Sequence, residues 1–281
     1  MTDPFDHARG TGSRARRTLV TAGALCAVAL GGFTLHSPVY SPVIELRQYT
    51  LHAGKRDVLI NMFDTEFVES QEALGITVVG QFRNLDDPNK FVWIRGFPDM
   101  RTRAQSLAAF YGGPVWASHR AAANATIIDN DNVLLLRPVH PESGFVIEKN
   151  DRPAAGTVGT GRGLMIATIY HIDPTEEKEA GFVAFFERTV TPLLTRAGAP
   201  VIASFIPERA ANTFPQLPVR EGEHVFVWFS RFADASAYER FKATLAALPE
   251  WRDSVEVELS AKIREPQTLR LSPTARSLVH D

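Results

Sequence analysis

An internal repeat constrains the fold of this chain more than any other feature. The segment Phe91–Asp99, with the sequence FVWIRGFPD, returns as FVWFSRFAD at Phe226–Asp234. The offset that aligns these segments also aligns Trp116 with Trp251, and the ending at 134–138 with that at 269–273. Agreement at three separate landmarks indicates two diverged copies of one module in a single chain.

Both copies show the same order of predicted elements. A strand with alternating side chains precedes a helix with apolar residues at helical spacing, then a hairpin, a helical region that Asp99 caps in the first copy, and a last strand. This β-α-β-β-α-β order is the ferredoxin-like arrangement, an α+β fold with its helices on one face of an antiparallel sheet. The uncovered faces favour two modules packed sheet to sheet. We predict modules at 43–138 and 164–272, a linker at 139–163 and a tail at 273–281.

The first 42 residues differ in character from the rest of the chain. An uncharged run at 18–35 follows a small arginine cluster and precedes a stretch punctuated by prolines. This layout is typical of an export signal or a membrane anchor. It predicts a body that is exported or tethered at the outer face of a membrane, through residues 18–35. The alternative is a disordered or non-native extension, which would leave the body cytoplasmic.

Charge and motif content exclude several classes of function. The net charge of −2 provides no electrostatic footprint for nucleic acid, so no nucleic-acid partner is predicted. The eight histidines form no His-x-His or His-x-x-x-His pair, so no metal site and no cofactor are predicted. The chain also lacks the Gly-x-Ser-x-Gly elbow of a hydrolase.

The first copy closely resembles the NIPSNAP family. The resemblance rests on FVWIRGFPD at 91–99, FYGGPVW at 110–116 and VLLLRP at 133–138, and on the opening IELRQYTL. It implies membership of the dimeric α/β-barrel group, whose ferredoxin-like modules pair sheet to sheet. Proteins of that group range from cofactor-free oxygenases and haem-degrading enzymes to isomerases and plain dimerising modules, so self-association is a further expectation. The resemblance provides no catalytic residues to carry over.

A comparison of the two copies separates residues that the fold requires in both copies from polar residues whose presence in one copy must be explained by something other than the fold. Three aromatic residues recur, Tyr49, Trp93 and Trp116 as Tyr170, Trp228 and Trp251, which favours a packing role for them. Six polar residues occur in the first copy only: Glu45, Arg47, Arg95, His119, Arg120 and Asn124. Their counterparts are Ile166, Thr168, Ser230, Ser254, Val255 and Leu259.

These positions suggest a ligand site in the first copy. Strands one and three are neighbours in a ferredoxin-like sheet, so Glu45, Arg47, Tyr49, Trp93 and Arg95 would share one face. An arginine fork on that face would bind an anionic, carboxylate-type ligand. The alternative is an internal salt bridge without a ligand.

A helical stripe adds a second group of candidates. Trp116, Arg120 and Asn124 follow one another at intervals of four residues, with His119 beside them. His119 is the catalytic candidate, because an imidazole exchanges protons near neutral pH. Its alternative role is that of a capping or surface residue.

Three functions remain open from the sequence. The first is binding of a small anionic or carbonyl-containing organic molecule, with cofactor-free oxygenase or isomerase chemistry as its catalytic form. The second is a non-catalytic protein-interaction module, for which residues 214–218 would supply an exposed apolar surface. The third is haem binding, based on the family analogy and on Trp93, His119 and Asn124.

Overall fold

A computed structural model describes residues 40–147 and 152–280. The first half contains the strands β1 (Val43–Leu51), β2 (Thr77–Asn84), β3 (Lys90–Phe97), β4 (Ile127–Asp129) and β5 (Val133–Pro138). Its helices are α1 (Arg56–Met62), α2 (Val68–Glu72), α3 (Met100–Tyr111) and α4 (Pro114–Asn124), with a π-helical turn, Phe63–Phe67, joining α1 to α2. The predicted order of elements is therefore present, with a short extra strand, β4.

The second half repeats this order. Its strands are β6 (Leu164–Ile172), β7 (Val201–Pro207), β8 (Val225–Phe232) and β9 (Ile263–Pro273), and its helices are α5 (Glu176–Phe185), α6 (Thr191–Ala197), α7 (Ala235–Ala247) and α8 (Glu256–Lys262). Asp99 accepts a hydrogen bond from the backbone N–H of Thr102 at 2.6 Å, and Asp234 accepts one from Ala237 at 2.7 Å. The predicted cap at Asp99 is confirmed, and the second copy contains the same cap.

The strands join into one closed barrel. Its order is β3-β2-β9-β6-β8-β7-β5-β1, and pairing of β1 with β3 completes the circle while β4 extends from β1. The two copies meet edge to edge where β2 pairs with β9 and where β5 pairs with β7, both antiparallel. Closure leaves the eight barrel strands without an open edge, which removes the unpaired backbone groups of an isolated sheet.

Side chains alternate between the barrel interior and its outer face. Ile44, Leu46 and Ile94 point inward and meet Met165, Ala167 and other inward residues of the second copy in one buried cluster. The outer faces pack on the helices of their own copy. The predicted pair of ferredoxin-like modules packed sheet to sheet is confirmed, and the joined edges are an addition that the sequence did not indicate.

The segments beyond the repeated elements are also packed. Phe145 and Ile147 enter the interior cluster from the region predicted to be a linker. The region predicted to be a polar tail buries Thr274, Arg276 and Ser277. Each nitrogen of the buried Arg276 guanidinium is hydrogen-bonded: the group donates to the backbone oxygens of Pro153 and Asp64 and to the Glu69 carboxylate.

The signal or anchor predicted at 1–42 lies almost wholly outside the described residues. Within 40–147 and 152–280, none of the helices has the length and apolar character needed to cross a membrane.

Asp64 is a buried acid beside this C-terminal segment, and we expect its replacement to stabilise the protein in a pH-dependent way. Burial raises the pKa of Asp64 to about 6, although a hydrogen bond with Thr274 and the charge of Arg276 oppose the rise. The unfolded value is about 3.9, so ionising the native side chain has a cost that grows above pH 4 and is complete above pH 6. We expect Asp64→Asn to stabilise the protein at pH 8 by about 2–3 kcal/mol, and this gain to vanish at pH 4.

Urea unfolding at the two pH values measures the gain. The matched control is Asp57→Asn on the same helical stretch, because the side chain of Asp57 is 65% exposed. An Asp64→Asn variant that is less stable than the wild type at pH 8 would contradict the prediction.

Candidate functional site

The antiparallel register of β1 and β3 assembles the charged part of the site. Glu45 pairs directly with Arg95, and Arg47 with Trp93. Because side chains alternate along each strand, all four project from the outer face of the barrel toward the helices of the first copy. The predicted shared face is therefore present.

Glu45 lies at the centre of a cluster of three arginines. Its Oε2 accepts hydrogen bonds of 2.7 Å from Nη1 of Arg47 and from Nε of Arg95. Its Oε1 accepts one of 2.7 Å from Nε of Arg103 on α3, and Nη2 of Arg103 is also 2.7 Å from that oxygen. All four side chains are fully buried.

This cluster contains two more positive than negative charges. Burial alone would raise the pKa of Glu45, but the charges of Arg95, Arg47 and Arg103 hold it well below its usual range. Burial lowers the pKa of Arg103, and Glu45 opposes that effect. Guanidinium groups remain charged at any physiological pH, so the excess of positive charge persists in the native state.

The excess positive charge lies directly behind a cavity of about 590 Å³. The cavity is between the outer face of the sheet and helices α1 to α4, and eight of its 18 lining residues are aromatic. The aromatic lining residues are Tyr49, Phe63, Phe67, Trp93, Phe110, Tyr111, Trp116 and Phe214. Aromatic walls of this kind present large apolar faces to a planar ligand.

Polar groups at the inner end of the cavity are held by the buried arginines. Nε of Arg47 donates to the hydroxyl oxygen of Tyr49 at 3.0 Å, which leaves the Tyr49 O–H available as a donor. Nη1 of Arg95 donates to Oε1 of Gln71 at 3.1 Å, and Gln71 donates in turn to the Phe67 carbonyl. Nε1 of Trp93 is buried and has no hydrogen-bond partner among the described residues. Tyr49 and Trp93 line the cavity and are its two candidate donors for an acceptor oxygen.

The protonation state of Tyr49 determines its role. Burial raises the pKa of its phenol above the ordinary value, although the charge of Arg47 opposes the rise. Tyr49 is consequently a neutral hydrogen-bond donor at working pH. The lining residues include no carboxylate, imidazole or amine, so the cavity suits stabilisation of negative charge on a ligand better than proton abstraction.

The structure divides the residues selected from the sequence into three groups. Tyr49, Trp93, Trp116 and Asn124 line the cavity. Glu45, Arg47 and Arg95 form the buried layer behind it.

His119 and Arg120 are not among the lining residues. His119 donates from Nδ1 to the backbone oxygen of Val115 at 2.9 Å, and its Nε2 is 3.9 Å from Glu66, beyond hydrogen-bonding distance. Arg120 is exposed. The structure thus does not bring either side chain to the cavity.

Sequence reasoning missed Arg103 and Gln71, and it assigned residues 214–218 of the second copy to an exposed surface instead of the cavity wall. The comparison of copies could have found Arg103, because the offset that aligns Trp93 with Trp228 places Tyr238 opposite it. Gln71 carries no such signal, since a glutamine in a helix is ordinary. Phe214, Gln216 and Leu217 of the loop between β7 and β8 line the cavity although they belong to the other copy.

The same place in the second copy is filled by apolar side chains. Ile166 pairs with Ser230, and Thr168 with Trp228, in the register that Glu45, Arg95, Arg47 and Trp93 occupy in the first copy. Trp251 and Leu259, the counterparts of Trp116 and Asn124, are buried in the core there. The polar asymmetry between the copies therefore coincides with the position of the cavity.

A closed antiparallel barrel of two ferredoxin-like modules, with helices outside, defines the dimeric α/β-barrel class, here within one chain. The chain contains a NIPSNAP domain, because the NIPSNAP family model matches residues 44–141. No match is found among curated proteins.

Solved structures of similar fold cover most of the chain. Two proteins named "putative monooxygenase" match it, one from Fusobacterium nucleatum and one from Lactobacillus acidophilus. The first has 10% identity and a TM-score of 0.53, with 83% of this chain and 93% of that chain covered. The second has 14% identity and a TM-score of 0.51, with 86% and 100% covered. At these identities the likeness establishes the fold.

A NIPSNAP family protein of unknown function from Agrobacterium tumefaciens also matches. It is 24% identical, with a TM-score of 0.33, 37% of this chain and 94% of that chain covered.

Proposed function

We propose that this protein binds a small planar organic molecule, whose carbonyl or anionic oxygen faces Tyr49 and Trp93, in the cavity of its NIPSNAP domain. The observation that supports the proposal is the cavity itself, which Tyr49 and Trp93 line and which is backed by excess positive charge. The buried Nε1 of Trp93 has no hydrogen-bond partner among the described residues, as is also true of Trp228 in the second copy. Leaving a buried donor without a partner costs about 1–3 kcal/mol. A ligand oxygen would remove that cost.

The charged layer supports an anionic form of the ligand oxygen. Nη2 of Arg47 and Nη2 of Arg95 have no hydrogen-bond partner within the described part of the chain. Their positive charge acts through Tyr49 and Gln71, which each accept a hydrogen bond from one of these arginines. Where a bound ligand displaces the water, such fixed charges and donors stabilise an enolate or phenolate more strongly than water does.

Oxidation by O₂ is the reaction to assay first. Two proteins of this fold carry monooxygenase names. A ligand bound as its anion is electron-rich, and the protein's part in such a reaction would be to stabilise that anion. Isomerisation would require a group that moves a proton at carbon, and the lining residues offer only tyrosines for that role.

The alternatives fit the geometry less well. Phe214 and Leu217 face the cavity, so they do not form the exposed apolar surface that the interaction-module hypothesis requires. The haem hypothesis relied on His119, whose side chain is outside the cavity lining. Self-association of the whole chain stays a prediction, because the barrel closes within one chain.

We expect Tyr49→Phe and Trp93→Phe each to weaken ligand affinity by about 3- to 10-fold, because each removes one hydrogen bond to the ligand oxygen. Calorimetry on the full chain with planar aromatic ketones, phenols and carboxylates measures this, with oxygen uptake recorded for each binder. The matched controls are Tyr170→Phe and Trp228→Phe, the same positions in the second copy. Equal affinities for all four variants, or no binder in the series, would contradict the proposal.

A further inference from the structure

The loop between β7 and β8 belongs to the second copy but forms part of the wall of the cavity in the first copy. It spans residues 208–224, whereas its counterpart between β2 and β3 spans only 85–89. Phe214 stacks on Tyr111 with ring centroids 5.7 Å apart and an interplanar angle of 19°. Leu217 is buried, and both residues line the cavity with Gln216. We call residues 212–217 the roof.

Asn212 organises the roof from within. Its Oδ1 accepts a hydrogen bond from the backbone N–H of Phe214 at 3.0 Å, and its Nδ2 donates to the backbone oxygen of Leu217 at 3.0 Å. Its own backbone N–H donates to Glu221 at 2.8 Å. Backbone hydrogen bonds from Glu208 and Arg220 to the oxygens of Leu135 and Val133 anchor the two ends of the loop on β5, and Asn212 holds its middle. Long ordered loops are often functional.

Arg103 connects the roof to the charged cluster. Its Nη1 donates to Oδ1 of Asn212 at 2.9 Å and to Oγ1 of Thr213 at 3.2 Å, while its Nε binds Glu45. Thr213 also donates to the backbone oxygen of Met100 at the start of α3. A guanidinium holds both groups in a fixed geometry, because its five donors lie in one plane.

We infer that the roof is the specificity-determining element of the cavity, with Phe214 limiting the size of the ligand and Asn212 holding the roof to Arg103. This inference rests on the proposed ligand binding. The inner oxygen site at Tyr49 and Trp93 selects the ligand's polar group. Phe214, contributed by the second copy, selects the extent of its planar body.

The first test requires no ligand. The four tryptophans are Trp93, Trp116, Trp228 and Trp251, so a W228F/W251F background leaves emission from the two in the cavity wall. In that background, Phe214→Ala and Asn212→Ala should each raise acrylamide quenching about twofold, because each uncovers aromatic surface. The control is Pro218→Ala, an exposed loop residue that does not line the cavity. Circular dichroism confirms that each variant folds.

The second test uses a series of planar ketones of increasing width. Phe214→Ala should weaken binding of the narrowest binder by about 2- to 10-fold, as one aromatic contact is lost, and should improve binding of the widest. Tyr49→Phe should weaken all of them equally. Phe214→Leu, which keeps most of the bulk, should preserve the wild-type order.

The two readouts separate failure of the inference from failure of the proposed function. If no ketone binds but quenching rises, the proposed ligand binding is wrong, and so is the role of the roof in ligand selection. The roof would then only cover the aromatic side chains of the cavity. If ketones bind but Phe214→Ala and Asn212→Ala alter neither quenching nor the order of affinities, the roof does not determine specificity.

Discussion

Replacing Glu45 by glutamine is expected to destabilise the protein by about 3–5 kcal/mol, the usual cost of removing one partner from a buried ion pair. The carboxylate is the acceptor shared by Arg47, Arg95 and Arg103, and all four side chains are fully buried. A neutral amide leaves three guanidinium charges without a counter-charge. Urea unfolding at pH 7, followed by circular dichroism, measures the loss.

The pH dependence provides an independent check on Glu45. The pKa of Glu45 in the native protein is lowered below the unfolded value of about 4.3. The stabilisation that the ionised Glu45 provides is therefore fully present above a pH of about 4.3, and it is lost as the pH falls through the native pKa. The difference in stability between wild type and Glu45→Gln should therefore be largest at neutral pH and shrink in acid. A difference that is constant from pH 7 to pH 3 would contradict the ionised cluster.

An exposed pair serves as the control for this experiment. Glu250 pairs with Arg196, and both side chains are at least half exposed. Solvent screens such pairs, so Glu250→Gln should change stability by about 0–1 kcal/mol.

Truncating Arg276 to alanine is expected to cost about 3–5 kcal/mol, because hydrogen bonds from charged groups contribute about 1.5–3 kcal/mol each and buried acceptors lose their donor. Arg276 donates to Pro153 and Asp64 backbone oxygens, and its side chain is 1% exposed. The bonds from Arg276 hold the C-terminal segment against the π-helical turn Phe63–Phe67, α2 and the region before β6. Urea unfolding gives the loss, with Arg196→Ala as the exposed arginine control.

Proteolysis gives a second readout for Arg276. Release of the segment 274–280 should let a protease of broad specificity cleave it faster in the variant than in the wild type, because packed segments resist digestion. Equal cleavage rates and equal stability would show that residues 274–280 behave as the tail that the sequence predicted.

The sequence alone determined the module and its repetition. Turn residues, strand alternation and helical periodicity are local signals, so the β-α-β-β-α-β order, the Asp99 cap and the NIPSNAP resemblance were all accessible from it. The comparison of copies also selected Glu45, Arg47 and Arg95, because a charged residue whose counterpart in the other copy is Ile166, Thr168 or Ser230 is not required by the fold.

Only the tertiary structure decided how these parts form a cavity. Arg103 reaches Glu45 because α3 packs with that face toward the sheet, whereas neighbouring Arg101 on the same helix is exposed. His119 and Arg120 are near the selected residues in sequence, but of the candidates on α4 only Trp116 and Asn124 line the cavity. Helix rotation, the edge pairings that close the barrel and the path of the 208–224 loop depend on contacts between residues far apart in the chain, which no local pattern encodes.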